Sequence, residues 1–260
     1  SILPLREVYS SFFLLVAMFG IVNWIKFGSY KSIFLAIIGF IGAMHFHGVL
    51  IIGSFIFFLI IGLGNFKKSL KLILVKRISP QSLLIIISVL ILFTAYYNSD
   101  IHIPYIGKLT QITDMGWVRE NIILRMRGEA SYPEWTIINS NIEIFYKGIA
   151  RMAYFLFSPF IWDIQKPTHL FGFFDGLLYM ALVCLIFKNR KVIWKDPALR
   201  IILIILVSYI FIFGIGTSNF GAGVRHRTKF IIEIVILAAP LIPRFIFFKK
   251  IKLSKHSKKL

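Results

Sequence analysis

Apolar positions along this chain run in near-continuous blocks, with short polar turns rich in Lys and Arg between them. The blocks occupy 9–25, 34–64, 82–97, 170–187, 199–215 and 230–248. A helix needs about 17–25 such residues to cross roughly 30 Å of hydrocarbon. The block at 34–64 is too long for one ordinary crossing, even with tilt. His45-Phe46-His47-Gly48 lies near its middle, so the pattern predicts two short helices, 32–46 and 48–65, meeting at that turn. One long tilted helix with buried His is the competing reading. The stretch 148–164 opens near Arg151 and closes on Ser158-Pro159-Phe160-Ile161-Trp162-Asp163. A Pro and a terminal aromatic cluster suit a membrane boundary better than a clean crossing. The expected fold is therefore all-α: a polytopic integral membrane helical bundle of about seven crossings plus one interfacial or re-entrant helix. The alternating ten-residue segments of a β-barrel are not visible.

Composition agrees. Of 260 residues, 58% are hydrophobic and 16% charged, with mean hydropathy +0.80; soluble domains carry about a quarter charged residues. The expected organisation is one transmembrane domain over 1–260, a large external loop at 98–169 and a basic cytoplasmic tail at 249–260. The chain begins at Ser1, and natural N-terminal sequence is expected to precede it. The net charge of +19 would suit nucleic acid, but its distribution does not. Most Lys lies in short loops and in the tail, as in cytoplasmic loops and polybasic lipid contacts. No nucleic-acid partner is expected; membrane lipid is. The single Cys184 excludes a disulfide framework or a thiolate metal site within the chain.

Seven crossings with the tail inside place 15 Lys and 4 Arg inside, against 4 Lys and 7 Arg outside. The inside excess fits the positive-inside rule, which predicts a cytoplasmic C-terminus. The same count separates Lys from Arg, and a topology signal alone does not require that. Arg is the residue suited to forked recognition of carboxylate or phosphate. Arg6, Arg119, Arg125, Arg127, Arg225 and Arg227 all fall outside, as do His45 and His226. The loop Thr217-Ser218-Asn219-Phe220-Gly221-Ala222-Gly223-Val224-Arg225-His226-Arg227-Thr228-Lys229 gathers four of the basic groups between two apolar runs, at the expected end of a tight hairpin. This face reads as a site for an anionic substrate such as a lipid-linked pyrophosphate. The plain alternatives are interfacial anchoring and local ion pairs with Glu7, Glu129 and other external acids.

Residues 116–129 read as a short helix at the bundle mouth, with Arg119, Ile122, Ile123 and Met126 on one face. Glu120, Glu129, His226 and His45 are candidate general bases. Asp175 and Glu233 lie inside apolar segments and are functional candidates by cost. There is no Walker phosphate loop and no zinc-type His or Cys spacing, so neither cofactor nor metal is expected.

An external Arg ahead of the first helix, a basic turn and a helix ending Gly42-Ala43-Met44-His45 resemble the bacterial surface-polysaccharide polymerases of the Wzy and EpsG type. Phe155-Leu156-Phe157-Ser158-Pro159-Phe160-Ile161-Trp162 and Asn219-Phe220-Gly221-Ala222-Gly223-Val224-Arg225-His226-Arg227 are similar to segments of membrane proteins encoded with O-antigen or capsule enzymes. The resemblance implies a metal-independent glycosyltransferase of the bacterial inner membrane, acting on its external face. It would join polyprenyl-pyrophosphate-linked oligosaccharide units into exopolysaccharide, capsule or O-antigen. Arg225, Arg227 and Arg6 or Arg127 would hold pyrophosphate, with Arg119 and Arg125 on the same face. His226, His45 or Glu129 would be the base. The implied partners are the lipid-linked oligosaccharide and a protein that regulates chain length. A flippase for the same lipids, or a non-catalytic assembly subunit, are the competing functions.

Overall fold

A computed structural model describes residues 3–57, 59, 111, 114–126 and 128–239. Among these the chain is helical, and the one bridge of strand type pairs Ser131 with Asn219. The helices are α1 (Leu3–Phe27), α2 (Tyr30–Phe46), α3 (Met115–Leu124), α4 (Asn141–Phe157), α5 (Pro167–Lys188), α6 (Arg190–Lys195), α7 (Pro197–Gly216), α8 (Phe220–Arg227) and α9 (Ile231–Ala238). Three are long and apolar enough to cross a membrane, over Leu5–Phe27, Pro167–Lys188 and Pro197–Gly216; Lys31–Phe46 and Gly48–Phe57 are shorter apolar helices. The expected crossing at 82–97 and the tail at 249–260 lie outside the described residues, as does most of the loop before α3.

The break in the long apolar block falls at the His-Phe-His turn. α2 ends at Phe46, His47 takes an extended conformation, and its N–H closes the helix on the Ala43 carbonyl at 2.9 Å. Gly28, at φ 65°, turns α1 back into α2, a conformation that glycine adopts without steric cost. The pair then packs backbone to backbone through small residues. A Cβ on Gly20 would meet the Ala36 nitrogen at 2.6 Å, and one on Gly39 would strike Ala17. Close approach through small residues is the usual means of helix association where hydrocarbon is the solvent.

Side-chain caps and prolines set the other boundaries. Asp114 and Asp196 accept N–H groups at the starts of α3 and α7, and Asn219 those of Gly221 and Ala222 in α8. Pro167 and Pro197 open α5 and α7. Two expectations change as a result. The loop 217–229 is not a bare hairpin turn: Asn219 nucleates the eight-residue α8, and a 3₁₀ turn over Thr228–Phe230 follows. The boundary helix begins at Asn141, ahead of the apolar stretch at 148–164, and ends at Phe157. Its first turns are amphipathic, with Ile142, Phe145, Tyr146 and Ile149 exposed along one stripe. A search for continuous apolarity passes over such a pattern.

Among the described residues the main apolar cluster centres on α7, and two smaller ones gather Val118, Ile122 and Ile138, and Tyr132, Tyr154 and Phe220. Ile202, Ile205, Tyr209 and Phe213 of α7 meet Phe155 of α4, Phe230 and Ile234. α1 and α7 run in opposite directions, so the start of α1, the end of α2, the end of α7, α8 and the start of α5 converge at one end of the bundle. Lys26, Lys188, Lys191 and Lys195 lie at helix ends on the far side. Arg190 and Arg200 share that side, and Lys166 and Lys229 lie at the arginine end, so among the described residues the separation of Lys from Arg is partial.

Candidate functional site

Two buried arginines fasten the end of the bundle where these elements meet. Arg151 on α4 is fully buried and caps α7. Its Nη2 donates to the carbonyls of Ile215 (3.1 Å) and Thr217 (2.6 Å) and to Ser218 Oγ (2.8 Å); Nε donates to Gly214 O and Nη1 to Thr136. These carbonyls are the orphans that every helix C-terminus leaves. Arg227, at the end of α8, is also fully buried. Nε and Nη2 hold Asp175 at 2.8 and 2.6 Å, Nη1 donates to the Leu156 and Ser158 carbonyls, and Nη2 also donates to Gly172 O. All five of its N–H donors are accounted for by α4, α5 and the turn between them. Tyr179 Oη donates back to the Arg227 carbonyl at 3.1 Å.

α8 is thereby held rigidly, and Arg225, two residues before the clamp, faces the other way. It lines a cavity of about 470 Å³ with Arg6 of α1, Arg125 after α3, His47 and His226. Arg125 is oriented by donating to Gly216 O at 2.6 Å. No carboxylate is part of the wall among the described residues. Beneath it, buried Glu7 pairs with Lys229 and lies 3.6 Å from both Arg225 Nε and His226 Nδ1, and 3.8 Å from Arg6 Nη2. One carboxylate therefore faces three cationic side chains, with a fourth, Arg125, across the cavity. The surplus positive charge sits among Phe213, Val49 and Leu124. Charge in such surroundings attracts an anion far more strongly than it would in water.

Two cations flank the His226 ring. Lys229 Nζ is 2.8 Å from His226 Nδ1, and Arg225 Nη2 is 3.3 Å from Nε2. A charged ammonium can only donate. A guanidinium likewise has no acceptor, so the two cations compete for the single acceptor nitrogen of the neutral ring. Burial, then the nearby Lys229 and Arg225 charges, keep His226 below the usual histidine range although Glu7 pulls upward. Burial also draws the Lys229 ammonium down to about 8 in spite of Glu7. At neutral pH His226 is therefore a neutral imidazole in the cavity wall. His47, packed 4.9 Å from the Phe213 ring and 5.4 Å from His226, is pushed down by burial and by Lys229, and is neutral too.

Of the residues expected at a site, the cavity collects Arg6, Arg125, Arg225 and His226. Arg227 is not available to a ligand, because its donors are consumed internally. Arg119 is exposed and donates to Asn139 Oδ1 at 2.9 Å; the buried face of α3 carries Val118 and Ile122 instead. Arg127 lies outside the described residues. His45 faces a neighbouring groove. Glu129 is exposed and held by Lys166 at 2.7 Å, which keeps its carboxyl below the usual range and makes it a weaker base. Asp175 serves the Arg227 clamp. Glu233 is buried, and neither carboxyl oxygen has a hydrogen-bond partner among the described residues. Glu7, Lys229 and His47 are the additions. Glu7 beside Arg6, and Lys229 three residues after His226, were visible signals: charged groups at the boundary of apolar blocks are costly unless used.

No protein-family model, curated protein or solved structure matches this chain.

Proposed function

We propose that the chain is a membrane glycosyltransferase that polymerises polyprenyl-pyrophosphate-linked oligosaccharide units on the external face of a bacterial inner membrane. The arginine cavity over the Glu7–Lys229 pair is the observation that carries this reading: it is rigid, short of negative charge and opens among the ends of membrane-length helices. In this account seven crossings and one boundary helix, α4, place the cavity outside and the basic tail inside, as the Lys distribution favours.

The chemistry needs little more than charge and position. The acceptor hydroxyl of one unit attacks C1 of the other unit's pyrophosphate-linked sugar. The C1–O bond to phosphate breaks, the hydroxyl proton is released to water at the cavity mouth, and polyprenyl pyrophosphate leaves. Arg6, Arg125 and Arg225 neutralise the charge growing on the leaving group, and the His226 ring N–H donates to its oxygen. Donors aimed at developing charge in a water-poor site are commonly the largest catalytic contribution. Purified protein in liposomes, given lipid-linked repeat units alone, should release polyprenyl pyrophosphate and form units joined in pairs and longer chains. Binding of the units without any such release would overturn the assignment.

The ionisation of the cluster sets a pH dependence. Lys229 holds its proton below about 8; above that the cluster loses a positive charge. Protonating His226 at acid pH adds charge and keeps a donor. The rate should therefore hold from neutral to mildly acid pH and fall as pH rises through about 8. A rate that instead falls on acidification through the histidine range would make His226 a base and overturn its role as a donor.

A further inference from the structure

Beside the arginine cavity, a second, apolar groove of about 690 Å³ runs between the start of α1 and the end of α2. We propose that it holds the polyprenyl chain of the lipid whose pyrophosphate occupies the cavity; this rests on the cavity reading given above. Its walls include Val8, Phe12, Phe13, Ile41 and Phe46, and His45 is the polar side chain at the edge.

The groove is a built feature of the helix pair. Tyr9 stacks on Phe46 with ring centres 5.2 Å apart and planes at 16°, and Phe13 stacks on Phe46 as well, at 5.8 Å and 21°. Gly42 makes the floor, because a Cβ there would strike the Phe13 ring. Above this floor Val8, Tyr9, Phe12 and Ile41 remain exposed on a helix long and apolar enough to lie in a membrane.

Continuity with the cavity selects the occupant. Arg6, Tyr9 and Phe13 follow one another at i, i+3 and i+7, a single stripe of α1. Arg6 is in the cavity wall and Phe13 in the groove wall. On α2, Phe46 lines the groove and the next residue, His47, lines the cavity. A cationic chamber therefore passes within two helix turns into an apolar channel, the order of polarity in a lipid with an anionic head. Neither a second helix nor a second copy of the chain would account for that order.

The test fills the groove and leaves the cavity alone. Val8→Trp and Ile41→Trp, singly and together, occupy it with an indole, and Phe19→Trp is the control on the same helix. Phe19 is exposed and outside the groove. Affinities of the full chain in lipid nanodiscs are measured for polyprenyl pyrophosphate and for inorganic pyrophosphate. The double variant should weaken the lipid by about tenfold or more, through lost apolar contact, and leave inorganic pyrophosphate unchanged; Phe19→Trp should change neither. The unchanged inorganic affinity also shows that the fold survives. If the lipid binds the filled groove as tightly as before, the groove takes something else or is covered by another part of the chain, and the proposal is wrong. If the unaltered protein binds neither compound, the cavity reading fails as well.

Discussion

Arg227→Ala is expected to be among the most destabilising single substitutions in the described part of the chain. It would leave Asp175 without its partner and strip donors from the Leu156, Ser158 and Gly172 carbonyls, which the side chain now satisfies. Asp175 keeps a third of its side chain in solvent, so the loss comes mainly from the buried carbonyls left unsatisfied, about 1–3 kcal/mol each, a large share of the roughly 5–15 kcal/mol that holds a domain together. Unfolding in detergent, followed by thermal aggregation or denaturant titration, should show the loss, and little protein should accumulate in membranes. Arg227→Lys keeps the charge with three donors in place of five, so only part of the stability should return. A variant of normal stability that has merely lost activity would mean that Arg227 reaches a ligand after all.

Arg225→Ala should do the opposite. Its side chain is 43% exposed, and its link to Glu7 is a 3.6 Å contact, worth about 0–1 kcal/mol for a partly exposed pair. Stability should barely move. Transfer should fall by about 10²–10³, the usual cost of removing one donor aimed at transition-state charge. The comparison is done on purified protein in liposomes, with release of polyprenyl pyrophosphate as the readout. The two residues stand two positions apart in one short helix, and the account gives them separate roles. A shared phenotype would remove the basis for that division.

That division marks where sequence reasoning reaches its limit. The break at His47 was legible because a block of apolar residues longer than a bilayer needs a turn, and two histidines with a glycine are the residues that can supply one. The basic loop was legible because charge between apolar blocks is costly. Which arginine is spent on the fold was not legible. Successive helical residues point about 100° apart, so Arg225 and Arg227 project in very different directions from α8. Only the packing of α4 and α5 around that helix decides which one is sealed in. His45 and His47 pose the same problem: the helix ends between them, and the cavity takes the one beyond the break. Glu7 was seen as a mate for local ion pairs; its place under the cavity depends on α1 starting where α7 ends, a tertiary fact. α4 was set too late because its opening turns are amphipathic rather than continuously apolar.

The central claim is that the arginines in the cavity, and not the external arginines at large, serve polymer assembly. Polysaccharide display in cells lacking the gene, complemented with Arg225→Lys or with Arg119→Lys, tests it most directly. Both substitutions keep the charge and its anchoring value and remove the forked geometry; only Arg225 lines the cavity. The account predicts that Arg225→Lys abolishes long polymer and accumulates single repeat units, with normal protein in the membrane, whereas Arg119→Lys makes full-length polymer. Normal polymer from Arg225→Lys would contradict it, and the cavity arginines would then be boundary anchors.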